Sequence, residues 1–176
     1  METLPDIRIR DAVPADATAI RDLLLEAYGQ YETQFPEGRW APYRDELIES
    51  VTREGPLARI VAESDGRIVG SILLFDSGDS AYGMPSLAID TPVIRLLAVA
   101  REARGRGIAA ALIEESARRS RELGALTMYL HTSDLMAAAI KLYERLGFER
   151  AVDKDMFNGV THIKSYVLRL REAARR

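Results

Sequence analysis

Arg104-Gly105-Arg106-Gly107-Ile108-Ala109 follows closely on the apolar run Val93–Val99 and opens a long helical pattern. Two glycines, two positions apart, allow a sharp turn with low side-chain bulk. Successive backbone N–H groups at a helix N-terminus form an anion site. The chemistry this segment suggests is capture of a phosphate-bearing cofactor by backbone rather than by side chains. Farther on, Leu142-Tyr143-Glu144-Arg145-Leu146-Gly147-Phe148 closes a second helical pattern. Read alone, Tyr143 is an aromatic residue on an amphipathic helix.

The composition removes other chemistries. The chain has no cysteine, which excludes disulfides, thiolate metal sites and a cysteine nucleophile. His131 and His162 are the only histidines and no His-Glu-x-x-His pattern occurs, so a metal site is not expected. With 24 basic against 27 acidic residues, the chain has no electrostatic footprint for nucleic acid. The basic run Arg169–Arg176 reads as a solvated terminus. Neither a signal-peptide stretch nor a membrane-spanning run is visible, and a cytoplasmic protein is the expectation. The length of 176 residues fits one domain over 1–176. A homodimer is the commonest assembly for such a chain.

The elements that must position these residues are legible from periodicity. Ile7–Arg10 alternates like a strand, and Pro14 and Asp16 suit the start of a helix. Ile20, Leu23, Leu24 and Ala27 then form its apolar stripe, and Gly29 is a plausible stop. Tyr28, Tyr31, Phe35, Trp40 and Tyr43 crowd the next connection, either as core filling or as a pocket wall. A second helix is expected from about Pro42 to Thr52. Ala58–Ser64 and Ile68–Phe75 flank Asp65-Gly66-Arg67 as a hairpin. Asp76 to Thr91 reads as an ordered loop with room for a short strand. Val93–Val99, apolar apart from Arg95, should be a central strand. A helix to about Leu123 follows, then a strand over Leu126–His131. Ser133 or Asp134 can cap the next helix, and Phe148–Asp153 and His162–Leu170 read as two final strands. The order β-α-α-β-β-β-α-β-α-β-β describes a mixed sheet with helices on both faces.

These motifs resemble the GNAT superfamily of N-acetyltransferases. Its signature, Arg/Gln-x-x-Gly-x-Gly/Ala after a strand, is matched by Arg104–Ala109. Its second cue, a helix ending Leu-Tyr-x-x-x-Gly-Phe, is matched by Leu142–Phe148, and the opening Ile9–Asp16 also looks like the family's start. The resemblance implies a mixed, mostly antiparallel sheet with a splay between its two central strands. It also implies acetyl-CoA as cosubstrate and a small-molecule or peptide amine as acceptor. The pyrophosphate would lie on the backbone of Arg104, Gly105, Arg106, Gly107, Ile108 and Ala109. Pantetheine would run along Leu97, Ala98 and Val99, where one backbone N–H would hold the oxyanion. Tyr143 would protonate the departing thiolate. Relatives often carry Asn seven residues before that tyrosine; here the position is Met136.

A deprotonating base is not apparent, since relatives often place a carboxylate on the strand that here offers only Arg95. Glu32, Asp76 and His131 are candidates. A non-catalytic acyl-CoA-binding or sensor domain is therefore the alternative reading. Gly105–Ala110 also fits a dinucleotide fingerprint. That fingerprint expects an acid about 20 residues on, where Met128–His131 stand instead.

Overall fold

The computed structural model describes residues 6–157 and 161–170. The expectations for Met1–Pro5 and for the end of the basic tail, 171–176, lie outside them. The chain forms β1 (Ile7–Asp11), α1 (Ala17–Gly29), α2 (Trp40–Ser50), β2 (Ala58–Ser64), β3 (Arg67–Phe75) and α3 (Gly78–Tyr82). Then come β4 (Val93–Val99), α4 (Ile108–Glu122), β5 (Thr127–Thr132), α5 (Ala137–Arg145), β6 (Glu149–Arg150), β7 (Met156–Phe157) and β8 (His162–Arg169). The strands build an open, mostly antiparallel sheet in the order β1-β2-β3-β4-β5-β8-β6, with β7 on β8. The β4–β5 pair is parallel, whereas β1–β2, β5–β8, β6–β8 and β7–β8 are antiparallel. Contacts divide the chain into two compact units, Met1–Leu73 with Leu96–Leu112 and Leu74–Arg95 with Ile113–Arg176.

In the first unit, β1 pairs with β2 from Ile7 opposite Ser64 to Asp11 opposite Ile60. The β2–β3 hairpin turns through Asp65 and Gly66, both left-handed at φ 50° and 75°. A two-residue turn of that hand matches the twist of the strands it joins. The stripe on α1 buries Ile20, Leu23, Leu24 and Ala27 as expected, and Tyr28 joins them. Ile60, Val61, Ala62 and Ile72 complete the core from the strands. Gly70 on β3 sets how closely α4 approaches. A Cβ there would stand 2.8 Å from Ile108 Cγ2 and 3.0 Å from Leu112 Cδ1.

In the second unit, β5 and β8 pair along their length, from Thr127 opposite Arg169 to Thr132 opposite Lys164. Strand β4 pairs with β5 in parallel at Val93 opposite Tyr129.

Two expectations are corrected here. The segment Asp76–Thr91 is not a plain loop: Ser77 accepts from the Ser80 N–H and starts α3, and left-handed Gly83 ends it. Phe148–Asp153 keeps strand form only at Glu149–Arg150, after which a 3-10 turn runs Val152–Lys154. That turn brings Asp155 into position to accept from Arg150 and from the Ser165 N–H.

Candidate active site

The glycine turn and β4 from Leu96 onward belong to the first unit. After Val99 the chain makes a 3-10 turn at Arg101–Ala103, then passes through Gly105 at φ 82° and Gly107 at φ 77° into α4. Neither glycine has a neighbour within 4 Å of where a Cβ would be, so the demand for glycine comes from the backbone angle, not from crowding. Arg104, Gly105, Arg106 and Gly107 are exposed, Ile108 is buried and Ala109 half-buried. The first-turn N–H groups of α4 have no carbonyl four residues back within their own helix. With the positive end of the helix dipole they can hold an anion. Arg104 reaches Gln30 Oε1 at 3.5 Å, at the C-terminal end of α1.

Leu96, in the middle of β4, is left-handed at φ 55°. For a residue other than glycine this costs roughly 1–2 kcal/mol. Strain of this kind persists only where the surroundings hold it, and it gathers at functional sites. Leu96 lines a small space with Ile20 and Leu24 of α1. The next carbonyl, Leu97 O, accepts a hydrogen bond from the Tyr28 hydroxyl at 2.9 Å. No feature of Val93–Val99 as a string announces this kink. Tyr28 could have been found, because it continues the α1 stripe from Ile20 and Leu24 at helical spacing.

Around Tyr28 the aromatic residues of the α1–α2 connection form one stack. Phe35 meets Tyr43 at 5.1 Å and Trp40 at 5.4 Å, and Tyr43 meets Tyr28 at 6.0 Å. The rings of Phe35, Trp40 and Tyr43 are half-buried, so this set packs and still presents ring surface.

Tyr143 belongs to the second unit, near the end of α5, and is buried. Its surroundings give the closing motif a structural cause. Gly147 is left-handed at φ 100°, and the Phe148 N–H donates back to the Tyr143 carbonyl at 3.0 Å. The two rings meet at 5.8 Å. This is a helix stop with its usual apolar contact, and it fixes the backbone that carries Tyr143. Met136 lies in the 3-10 turn just before α5.

Also in the second unit, Arg95 points away from any role as a base. It donates to the Ala81 carbonyl at 2.8 Å and its guanidinium lies 4.7 Å from the centre of the Tyr82 ring. His131 Nε2 is 3.0 Å from the Lys154 carbonyl, and Nδ1 is 3.0 Å from the Tyr82 hydroxyl. A carbonyl only accepts, so Nε2 carries the proton and, in the neutral ring, Nδ1 accepts from Tyr82. Burial holds the His131 pKa below its ordinary value. Of the other base candidates, Asp76 accepts from Ser80 Oγ at 2.6 Å, and Glu32 is exposed in a 3-10 turn. Among the described residues, no group of three or more His, Asp or Glu side chains could hold a metal ion. No helix among them is long and apolar enough to cross a membrane.

The model of the acetyltransferase (GNAT) family matches residues 17–148. The chain belongs to this family. It is 36% identical over 90 residues to the mouse protein named "Probable N-acetyltransferase family 8 member 5". That stretch is 51% of this chain and 37% of the mouse protein, so the chain spans well under half of that relative's length. It is also 29% identical over 160 residues to the Escherichia coli protein named "Uncharacterized N-acetyltransferase YjgM", covering 89% of each chain. The Salmonella typhimurium yncA structure, solved with its cofactor acetyl-CoA, shares the fold at a TM-score of 0.62 and 20% identity. The likeness covers 97% of this chain and 98% of that one.

Proposed function

We propose that this GNAT protein, acting as one domain over its whole length, moves an acetyl group from acetyl-CoA to a primary amine. The observation that carries the reading is the passage from a kinked β4 through two left-handed glycines straight into α4. The solved relative with acetyl-CoA supports the choice of donor. The pyrophosphate lies on the backbone N–H groups of Arg104–Ala109, and pantetheine runs along Leu97–Val99.

The acceptor nitrogen attacks the thioester carbon directly, because no cysteine exists to carry the acetyl group in between. A carbon–nitrogen bond forms and the carbonyl oxygen takes up negative charge. A strand N–H holds that oxyanion, a contact worth about 3–4 kcal/mol where such donors have been removed in other enzymes. The carbon–sulfur bond then breaks, the thiolate takes a proton from Tyr143, and the proton that the attacking nitrogen sheds leaves through water, from which the phenol is restored. Both nitrogens of His131 already have partners, so His131 does not serve as the base in this arrangement. Small-molecule and peptide amines are the acceptor class. Glu32, Glu37, Asp45 and Glu46 near the aromatic stack favour a cationic one.

The alternative of a binding or sensor domain draws on the engagement of Arg95, where relatives often carry a carboxylate. Thermal unfolding with acetyl-CoA, CoA, NAD and ATP in parallel tests the donor, followed by an amine screen. Ligand at about 100 times its dissociation constant adds about 2.7 kcal/mol of stability. Stabilisation by both CoA compounds with transfer to an amine supports the enzyme; stabilisation without transfer supports the sensor. A preference for NAD overturns both.

A further inference from the structure

We propose that Tyr28 is a positioning residue for acyl transfer: its hydroxyl clamps the Leu97 carbonyl so that the Leu97 N–H faces the thioester oxygen. The inference rests on the acyl-CoA reading above and names the group that makes the kinked strand work in it.

The direction of the strand's polar groups follows from its pairing. The Ala100 N–H donates to the Val69 carbonyl at 2.8 Å, which puts the polar groups of Ala100 on the β3 edge of β4. Along an extended strand successive residues alternate between edges, and one residue's N–H and C=O face the same edge. Counting back from Ala100, Val99 and Leu97 face the opposite edge. The Tyr28 hydroxyl meets the Leu97 carbonyl at that edge, and the Leu97 N–H points the same way.

Helix α1 grips the kink at two consecutive residues. Ile20 and Leu24 line the same small space as Leu96, and Tyr28, one turn beyond Leu24, bonds the carbonyl of Leu97. A left-handed leucine relaxes unless it is held. An O–H donor on a buried ring fixes the Leu97–Ala98 peptide, and the strand backbone of Leu97 carries that orientation to its own N–H on the same edge. Tyr28 is itself fixed, at 8% exposure and edge-on to Tyr43 at 66°. If the hydroxyl only satisfied a carbonyl, its loss would weaken the fold without changing how the acetyl group is held.

The test separates those two roles and needs no acceptor. Acetyl-CoA and CoA are titrated calorimetrically into the wild-type protein and Tyr28→Phe. The expected result is CoA affinity unchanged within twofold and acetyl-CoA affinity lowered about fivefold. The infrared stretch of acetyl-CoA labelled with carbon-13 at the carbonyl should also shift back toward its free value in the variant. An equal fall in both affinities, or an unchanged ratio with an unshifted carbonyl band, overturns the proposal. If Tyr28→Phe does not fold, Tyr28→Met repeats the comparison under the same criteria. Failure of the wild-type protein to bind either compound is a different result, and it refutes the acyl-CoA reading itself.

Discussion

The Tyr82 hydroxyl lies 3.0 Å from Nδ1 of His131, and the two rings meet edge to face at 4.9 Å. With Nε2 committed to the Lys154 carbonyl, protonation of Nδ1 would remove the acceptor that Tyr82 uses. Burial, the largest influence, disfavours the charged ring, so the folded protein binds this proton less readily than the unfolded chain does. Stability from this site is present above the ordinary value of 6.5 and is lost as pH falls toward the lower folded value. Urea unfolding from about pH 5 to 8 should show stability rising with pH, and His131→Gln should flatten that rise. An unchanged slope in the variant would assign the dependence to other groups.

Asp155 gives a pH dependence of the same sign, in a more acid range. It accepts both guanidinium nitrogens of Arg150 at 2.7 Å, the Ser165 N–H at 2.7 Å and His162 Nε2 at 2.8 Å. Chiefly through Arg150, its carboxyl is held well below the usual carboxylate range. Its contribution is therefore present above the unfolded value and is lost as pH falls through the acid range. Asp155→Asn should cost about 1–3 kcal/mol at neutral pH, with the deficit against wild type shrinking in acid. Denaturant titrations at both pH values check this.

Gly107 separates backbone angle from charge. Gly107→Ala meets no neighbour, so its cost is that of a left-handed alanine, about 1–2 kcal/mol. CoA should still bind to it. Gly107→Glu places a carboxylate where the pyrophosphate is proposed to lie, and thermal stabilisation by CoA should vanish. Equal CoA binding by the two variants would move the phosphate site elsewhere.

Tyr143→Phe keeps the ring that packs on Phe148 and removes only the phenol. CoA affinity should hold, and turnover should fall about a hundredfold or more if the hydroxyl is the acid. Full turnover would leave Tyr143 with its structural role alone.

The segments that carry period and punctuation were legible in the sequence. The run Val93–Val99, the Gly105–Gly107 turn, the α4 pattern and the Gly147-Phe148 stop all stand where their spacing puts them. Less legible were features set by contacts between distant residues. The kink at Leu96 has no local signal, because leucine disfavours the angle it adopts there and α1 supplies the support. The short α3 did have a signal: Ser77 and Ser80 are spaced as a reciprocal cap. Phe148–Asp153 keeps strand form only at Glu149–Arg150, because Asp155, a residue outside that pattern, draws the chain into a turn.

Gly70 touches no ligand in this scheme, yet it acts as a spacer gauge for the end of α4 proposed to bind the anion. Since a single Cβ on β3 would collide with Ile108 and Leu112, the helix rests against the strand at the one spot where a side chain is missing. Gly70→Ala would press on the Ile108 and Leu112 side chains, and through them on the row of N–H groups proposed to receive the cofactor. The height of the proposed cofactor cradle above the sheet is thus set, to within the width of a methyl group, by the side chain that one residue of β3 lacks.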